Sequence, residues 1–398
     1  MKNNLLLTVR TVLLSFIFIS IFQVVVSQKF TIPVLPDTQE SVAFKNEYFL
    51  AQMNWLVDKC DSLNAPIVLH VGDLVNFDNH NHWIVASNGM KMLDDAQIPY
   101  AVTLGNHDTE AVGENSGSAA PGDVNENLRK TTKFNQYFPV ERFPLQKGRY
   151  EEGKSDNAYY TFEAGGVKWL VVTLEFCARQ GAAEWMSDVL GQFPAHNAII
   201  LTHYHLTSTG IIYNGNAGYG DMNVKTIFDN YIKPHKNVLM VLSGHVCSSA
   251  SRTDMGTQGN KIYQMLQDYQ CSDYGGAYIR LLDIDVDQKT INAKMYSPLY
   301  DKVLGGSTSY SLAYVKFINE SNTDRKDEME AKIRLYPNPA TRYVNIENTG
   351  NENPEVKVYN VQGALVKETY DKKIDISSFP VGVYLIHVDG KRMRLVKI

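Results

Sequence analysis

Five short polar clusters stand at the ends of apolar runs. They are Asp37-Thr38-Gln39 after Lys29–Leu35, Gly72-Asp73 after Ile67–Val71, Gly105-Asn106-His107-Asp108 after Tyr100–Leu104, His203 after Ala198–Thr202, and Gly244-His245 after Val238–Leu242. Carboxylate, amide oxygen and imidazole together suit hard to borderline divalent metals. Two metals about 3.5–4 Å apart, bridged by one carboxylate, bind a phosphoryl oxygen and generate hydroxide from water at neutral pH. The chemistry on offer is therefore metal-assisted hydrolysis of a phosphoester. His107 suits general acid work: an imidazole with a pKa near about 6.5 protonates a departing alkoxide, and a neighbouring carboxylate holds it cationic.

Residues so far apart need a scaffold that gathers them. Lys29–Leu35 reads as a strand, followed by a helix from about Val42 to Leu63 whose Phe49, Met53, Leu56, Val57 and Cys60 recur at helical spacing. Strands at Ile67–Val71 and Tyr100–Leu104, with a helix around Trp83–Asp94 between them, complete a βαβαβ run. Residues 110–133 read as a long insertion loop. Strands at Ala158–Ala164 and Val167–Leu174, a helix near Ala182–Leu190, and strands at Ala198–Thr202, Val238–Leu242, Ala277–Ile284 and Thr290–Tyr296 complete the unit. The carboxyl ends of strands in an open α/β sheet converge on one crevice, which brings the five clusters together.

The chain has 398 residues, 44% hydrophobic and 20% charged, which excludes a disordered, collagenous or membrane-bundle protein. Four Cys are too few for a disulfide scaffold. The net charge of −5 is uneven: residues 1–27 carry +2, residues 332–398 carry +4, and residues 28–331 carry −11. That acidic middle argues against nucleic-acid binding through the phosphate backbone. Lys2 and Arg10 precede the apolar run Thr11–Val26, and Val25-Val26-Ser27 suits a signal peptidase, so residues 1–27 are expected to be a removable export signal. The apolar run is short for a membrane span, and no transmembrane segment is expected in the mature chain.

Taken together, the clusters resemble the calcineurin-like metallophosphoesterases, which include the purple acid phosphatases. The family pattern of D-x-H, G-D-x-x, G-N-H-D, a lone H and G-H-x-H is matched in order and rough spacing over about residues 30–300. Asp268-Tyr269-Gln270 and Tyr296-Ser297-Pro298 are also similar to members of the family, with no role attached. The resemblance implies an α/β fold of four layers, an α/β/β/α sandwich, and two divalent or trivalent ions (Mn, Fe, Zn or Mg). It implies that Asp73 bridges both ions, that Asp37 binds the first, and that Asn106, His203 and His245 bind the second. His107 is similar to the catalytic histidine, with Asp108 orienting its ring.

Two positions depart from the pattern. Gln39 stands where the family most often has His, and as a neutral oxygen donor it favours Mg, Mn or Fe over Zn. Cys247 stands at the final His of G-H-x-H. As a thiolate it is a candidate ligand; in an oxidising compartment it can instead pair with Cys271, and four Cys allow three connectivities. Either way, the first site is expected to hold its metal less tightly than the second. His80 and His82 are expected on a polar loop, and His205 as a substrate contact at most. Tyr204, Tyr213 and Tyr219, with the Gly-rich 210–220 stretch, suggest a loop beside the site.

Residues 319–332 are polar almost throughout and read as a linker between a catalytic unit at 28–318 and a small all-β sandwich at 333–398. Short strand-like runs at Tyr343–Ile346, Val356–Tyr359, Leu365-Val366, Lys373–Ile376, Val383–Val388 and Met393–Ile398 support that sandwich. Leu335-Tyr336-Pro337-Asn338-Pro339, Val358–Gly363, Pro380–Tyr384 and the terminal Val396-Lys397-Ile398 resemble the C-terminal sorting domain of the type IX secretion system. This implies passage through the periplasm to the cell surface or beyond, with the type IX machinery as partner. The expected protein is a secreted or surface-attached monomer acting on phosphate monoesters or diesters. The alternative is a surface binding protein on the same fold with a weakened first metal site.

Overall fold

The computed structural model describes residues 28–115, 122–218, 220–319, 334–347, 353–388 and 391–398. The expected export signal, Tyr219 and the expected linker apart from Asn319 lie outside the described residues. Up to residue 319, the strands in chain order are β1 (Lys29–Leu35), β2 (Val68–His70), β3 (Tyr100–Val102), β4 (Gln146–Arg149), β5 (Ala158–Ala164), β6 (Val167–Leu174), β7 (Asn197–Thr202), β8 (Val238–Ser243), β9 (Ser248–Met255), β10 (Lys261–Asp268), β11 (Ile279–Asp285), β12 (Thr290–Ser297), β13 (Lys302–Leu304) and β14 (Tyr310–Leu312). They form two mixed sheets. One runs β13-β12-β11-β1-β2-β3 with β14 beside β12; the other runs β4-β5-β6-β7-β8-β10-β9. β1, β2 and β3 are mutually parallel, as are β6, β7, β8 and β10.

Side-chain alternation explains the layering. Trp169 and Val171 of β6, Ile199 and Leu201 of β7, and Met240 and Leu242 of β8 join one core with the residues of β1 and β11. Their neighbours Leu170, Val172, Ile200 and Val241 point the other way, into a second core with Ala182, Ala183, Met186 and Leu190 of helix Gln180–Gln192. The first core also takes Phe49, Met53 and Leu56 of helix Asn46–Lys59 and Trp83, Ala86 and Met90 of helix His80–Asp95. Helix, sheet, sheet and helix are thus stacked in the expected four-layer α/β/β/α sandwich.

The expected helix from Val42 to Leu63 is two helices, Gln39–Phe44 and Asn46–Lys59, because Lys45 leaves helical geometry at φ −143°. The break lets the short helix carry Gln39 at its start while the longer one packs on the sheet. His80 and His82 are not in a loop: the helix begins at His80, and the Asn79 side chain caps it by accepting the His82 N–H. The β9–β10 hairpin was not legible in the sequence, since β9 is a polar, half-exposed edge strand and β10 buries Gln264, Gln267 and Asp268 in place of an apolar run.

The C-terminal strands are β15 (Arg334–Tyr336), β16 (Tyr343–Glu347), β17 (Val356–Tyr359), β18 (Leu365–Thr369), β19 (Lys373–Asp375), β20 (Gly382–Val388) and β21 (Lys391–Lys397). They form a three-stranded sheet, β15-β16-β19, and a four-stranded sheet, β18-β17-β20-β21, around a separate core that includes Val344, Val358, Ile374, Ile386 and Leu395. Among the described residues, no helix is long and apolar enough to cross a membrane.

Candidate metal centre

The five clusters sit just beyond the C-terminal ends of β1, β2, β3, β7 and β8, where parallel strands deliver them to one crevice. Asp73 and His245 hold their side chains there from positive φ angles of 52° and 70°, a sparsely populated backbone region that tends to mark functional turns. Close approach explains two glycines: a Cβ at Gly105 would collide with the Asp73 carboxylate, and one at Gly244 with the Asp37 carboxylate.

Asp108 organises the backbone. Its Oδ1 accepts the N–H groups of Leu74 (2.8 Å) and Val75 (3.2 Å), and its Oδ2 accepts that of Gly105 (2.9 Å). It therefore ties the loop after β2 to the loop after β3. This corrects the expectation that Asp108 orients the His107 ring, because its bonds run to backbone N–H groups. The ring is instead held through Nδ1 by the Asn76 carbonyl oxygen at 2.7 Å, with Nε2 at the other side of the imidazole. The main-chain N–H of His107 donates to Asp73 Oδ1 at 3.0 Å.

Asp73, His203 and His245 each present a ligand atom, and these atoms lie within 4.8 Å of one another. His203 bonds through Nδ1 to the Val71 carbonyl at 2.8 Å, which turns Nε2 towards Asp73 Oδ2 at 3.1 Å and Asp37 Oδ2 at 3.8 Å. Asp37 Oδ2 also accepts the His245 N–H at 2.9 Å. Burial works against charge on all of these groups. It pushes the Asp37 carboxyl well above the usual range, helped by neighbouring Asp268. Burial disfavours the ionised Asp73 as well, but the imidazoles of His203 and His107 outweigh it and hold that carboxyl below its usual range. Burial opposes charge on His203, yet Asp73 and Asp37 raise it to about 10. His245 is pushed down to about 3 by burial and by His203.

The donor set fits metal ions on independent grounds. Asp37 Oδ1, Gln39 Oε1, Asn106 Oδ1 and Gln270 Oε1 are buried and have no hydrogen-bond partner. A buried acceptor left without a donor costs about 1–3 kcal/mol, so four around one crevice would be a heavy burden unless a cation meets them. Three of the four belong to residues at the ligand positions of the resemblance.

Other expectations meet a different outcome. Cys247 is bonded to Cys271 in a disulfide with Cα atoms 5.8 Å apart, so it offers no thiolate and is removed from the candidate ligands. His205 is fully buried, with Nε2 2.6 Å from Gln264 Oε1, and is not a substrate contact. His80 Nδ1 pairs with the Tyr137 hydroxyl, and His82 Nδ1 accepts the Phe77 N–H. Tyr204 stacks on Tyr213 and packs against His245, with ring centroids 4.6 and 4.5 Å apart. The sequence reading missed His70, whose Nδ1 accepts the Gly72 N–H while Nε2 donates to Thr38 Oγ1, pinning two of the ligand loops. Its apolar setting in β2 reads as core, and burial does hold it neutral, down to about 3. Asp268 and Gln270 were seen without a role.

Comparison with known proteins follows this division. Residues 31–249 match the family model for calcineurin-like phosphoesterases, and residues 334–397 match that for a secretion system C-terminal sorting domain. The chain is 29% identical over 320 residues, 77% of its length, to the uncharacterized protein YvnB of Bacillus subtilis, covering 22% of that protein. A stretch of 68 residues, 17% of the chain, is 39% identical to beta-agarase D of Zobellia galactanivorans, covering 14% of that protein. The chain thus spans less than a quarter of the length of these curated relatives. Among solved structures, a purple acid phosphatase from yellow lupin (Lupinus luteus) seeds aligns with TM-score 0.46 and 14% identity over 72% of this chain and 54% of that one. A dimetal phosphatase from Danio rerio aligns with TM-score 0.43 and 11% identity over 72% of this chain and 99% of that one. With more than half of the chain covered by the first family model, and all five polar clusters inside that stretch, the chain belongs to the calcineurin-like phosphoesterases.

Proposed function

We propose that this chain is an exported, metal-dependent phosphoesterase that hydrolyses phosphate monoesters or diesters outside the cell. The observation that carries the reading is the set of buried, unpartnered acceptors on Asp37, Gln39 and Asn106 around the crevice that also holds Asp73, His203 and His245. Asp37, Gln39 and Asp73 would hold one ion, and Asp73, Asn106, His203 and His245 the other. A bound pair of ions supplies a nucleophile from water at neutral pH and positive charge for a phosphoryl oxygen. The chain's residues do the rest. Asp73 is held ionised, so it can serve both ions, and the His107 N–H fixes its orientation. His107, locked through Nδ1 on Asn76, has Nε2 available to give a proton to the departing oxygen. Asp108 supports this by holding both loops in register.

Export rests on the match of residues 334–397 to a secretion sorting domain, which supports type IX machinery as partner and a surface or extracellular location. The disulfide at Cys247 favours a second reading, a surface binding protein with an impaired first metal site. Hydrolysis of p-nitrophenyl phosphate and bis(p-nitrophenyl) phosphate with Mn, Fe or Zn, alongside metal content, separates the two. Turnover that exceeds a His107→Ala control supports the enzyme; none above that control with any metal leaves the binding protein.

A further inference from the structure

The loss of Cys247 as a ligand leaves a gap in the first metal position, and the same disulfide brings a substitute. Cys271 follows Gln270, and β10 ends at Asp268, so bonding Cys271 to Cys247 seats the Asp268–Gln270 turn beside the loop after β8. The Gln270 amide is nine-tenths buried and its orientation is set by its neighbours. Nε2 lies 3.3 Å from Asp268 Oδ2 and 3.5 Å from Asp37 Oδ2, both acceptors, and Asp268 Oδ1 takes the Gln270 main-chain N–H at 3.0 Å. With the NH2 committed to carboxylates, Oε1 is left buried and unpartnered. Gln39, whose Oε1 is likewise buried and unpartnered, lines the same 440 Å³ cavity as Gln270. Asp37, the carboxylate that Gln270 touches, has its own Oδ1 unpartnered.

We propose that Gln270 is a ligand of the first metal position, replacing the sulfur at Cys247, and that Asp268 is the positioning residue that points its carbonyl oxygen at the ion. The first position then has an all-oxygen set, Asp37, Gln39, Asp73 and Gln270, which suits a hard divalent cation such as Mn²⁺ or Mg²⁺. The second keeps the two imidazoles of His203 and His245. The inference rests on the metal-centre reading above and alters one part of it, since the first position is complete and not crippled.

Titration of the full chain with Mn²⁺, followed by the electron paramagnetic resonance of free and bound ion, tests this without any substrate. Two Mn²⁺ per chain are expected. His245→Ala should weaken one site and Gln270→Ala the other, each at least tenfold, with circular dichroism unchanged. Should Gln270→Ala fail to fold, Gln270→Met keeps the shape without the oxygen and should give the same loss. Asp268→Ala should also weaken the first site, because the amide is then free to turn its NH2 inward. The double variant Asp268→Ala/Gln270→Glu should restore binding, because a carboxylate presents oxygen either way round; loss of mere structural support would not be rescued. Unchanged affinity at both sites in Gln270→Ala and Gln270→Met overturns the proposal while leaving His107-dependent hydrolysis untouched. Failure of the parent chain to bind a second Mn²⁺ overturns it together with the two-ion reading.

Discussion

At the scale of single residues, the site separates groups that act from groups that hold. His107 hydrogen-bonds Asp73 through its main chain and Asn76 through its ring, so alanine removes the proton donor and keeps the bond that fixes Asp73. His107→Ala should therefore lower kcat about 10²–10⁴-fold, the usual worth of a positioned acid, with metal content unchanged. A parallel loss of metal would show that His107 supports the framework. Asp156, remote from the ligands, gives a separate test by pH. Its buried carboxylate accepts from Thr131 Oγ1 at 2.5 Å and Asn135 Nδ2 at 2.7 Å, but burial dominates and pushes it up to about 6. The native chain therefore binds this proton more tightly than the unfolded chain. The resulting stabilisation is full at low pH and is lost as pH rises from about 4 to about 6. About two pH units at 1.36 kcal/mol each give about 3 kcal/mol. Asp156→Asn lacks this term, so the stability of the wild type minus that of the variant should fall by about 3 kcal/mol between pH 4 and pH 7 in urea melts. A constant difference would show that the carboxyl is ionised throughout.

At the scale of elements, the Cys247–Cys271 bond joins the loop after β8 to the turn after β10 across a separation of 24 residues. Closing a loop of that size restricts the unfolded chain by about 3 kcal/mol. The Cys247→Ser/Cys271→Ser double variant should lose stability of that order on chemical denaturation, and an unchanged midpoint would mean that the ends are held by the sheet alone. What the sequence told and withheld follows from the same elements. β1, β7 and β8 are apolar runs that end in a polar cluster, so both their position and the ligands after them could be read. β10 buries Gln264, Gln267 and Asp268, so the usual signal was missing and the role of the turn carrying Gln270 stayed hidden. Asp108 could be located but not assigned correctly, because its bonds are to backbone N–H groups that no side-chain pattern reveals. His205 alternates with His203 as a strand would require, and only packing shows that it turns into Gln264 instead.

At the scale of the whole molecule, the catalytic and C-terminal units have separate cores, and the boundary between what each needs can be placed to within a few residues. Val315 is fully buried in the first core, and Phe317 packs edge-on to Trp169 with ring centroids 6.0 Å apart. Ile318 is clamped at both ends of its peptide by the Asn197 side chain: its N–H donates to Oδ1 at 2.8 Å and its carbonyl accepts from Nδ2 at 2.9 Å. The strap from 315 to 318 is therefore part of the catalytic unit. Removing it deletes Val315, whose burial is worth about 1.5–3 kcal/mol, and two hydrogen bonds worth about 1 kcal/mol each. A chain ending after Asn319 should match the full chain in catalytic-unit stability and in hydrolysis rate within about twofold. One ending after Tyr314 should be less stable by about 3–5 kcal/mol, read as the midpoint of urea unfolding by Trp fluorescence. Equal stability of the two truncations would move the boundary upstream, whereas loss in both would show that the catalytic unit depends on residues beyond 319. If the first truncation behaves as expected, the unit of residues 28–319 carries −8, since residues 320–331 hold the other −3 of the acidic middle, so its hold on a phosphate ester must come from the local charge of the metal centre and not from the field of the whole molecule.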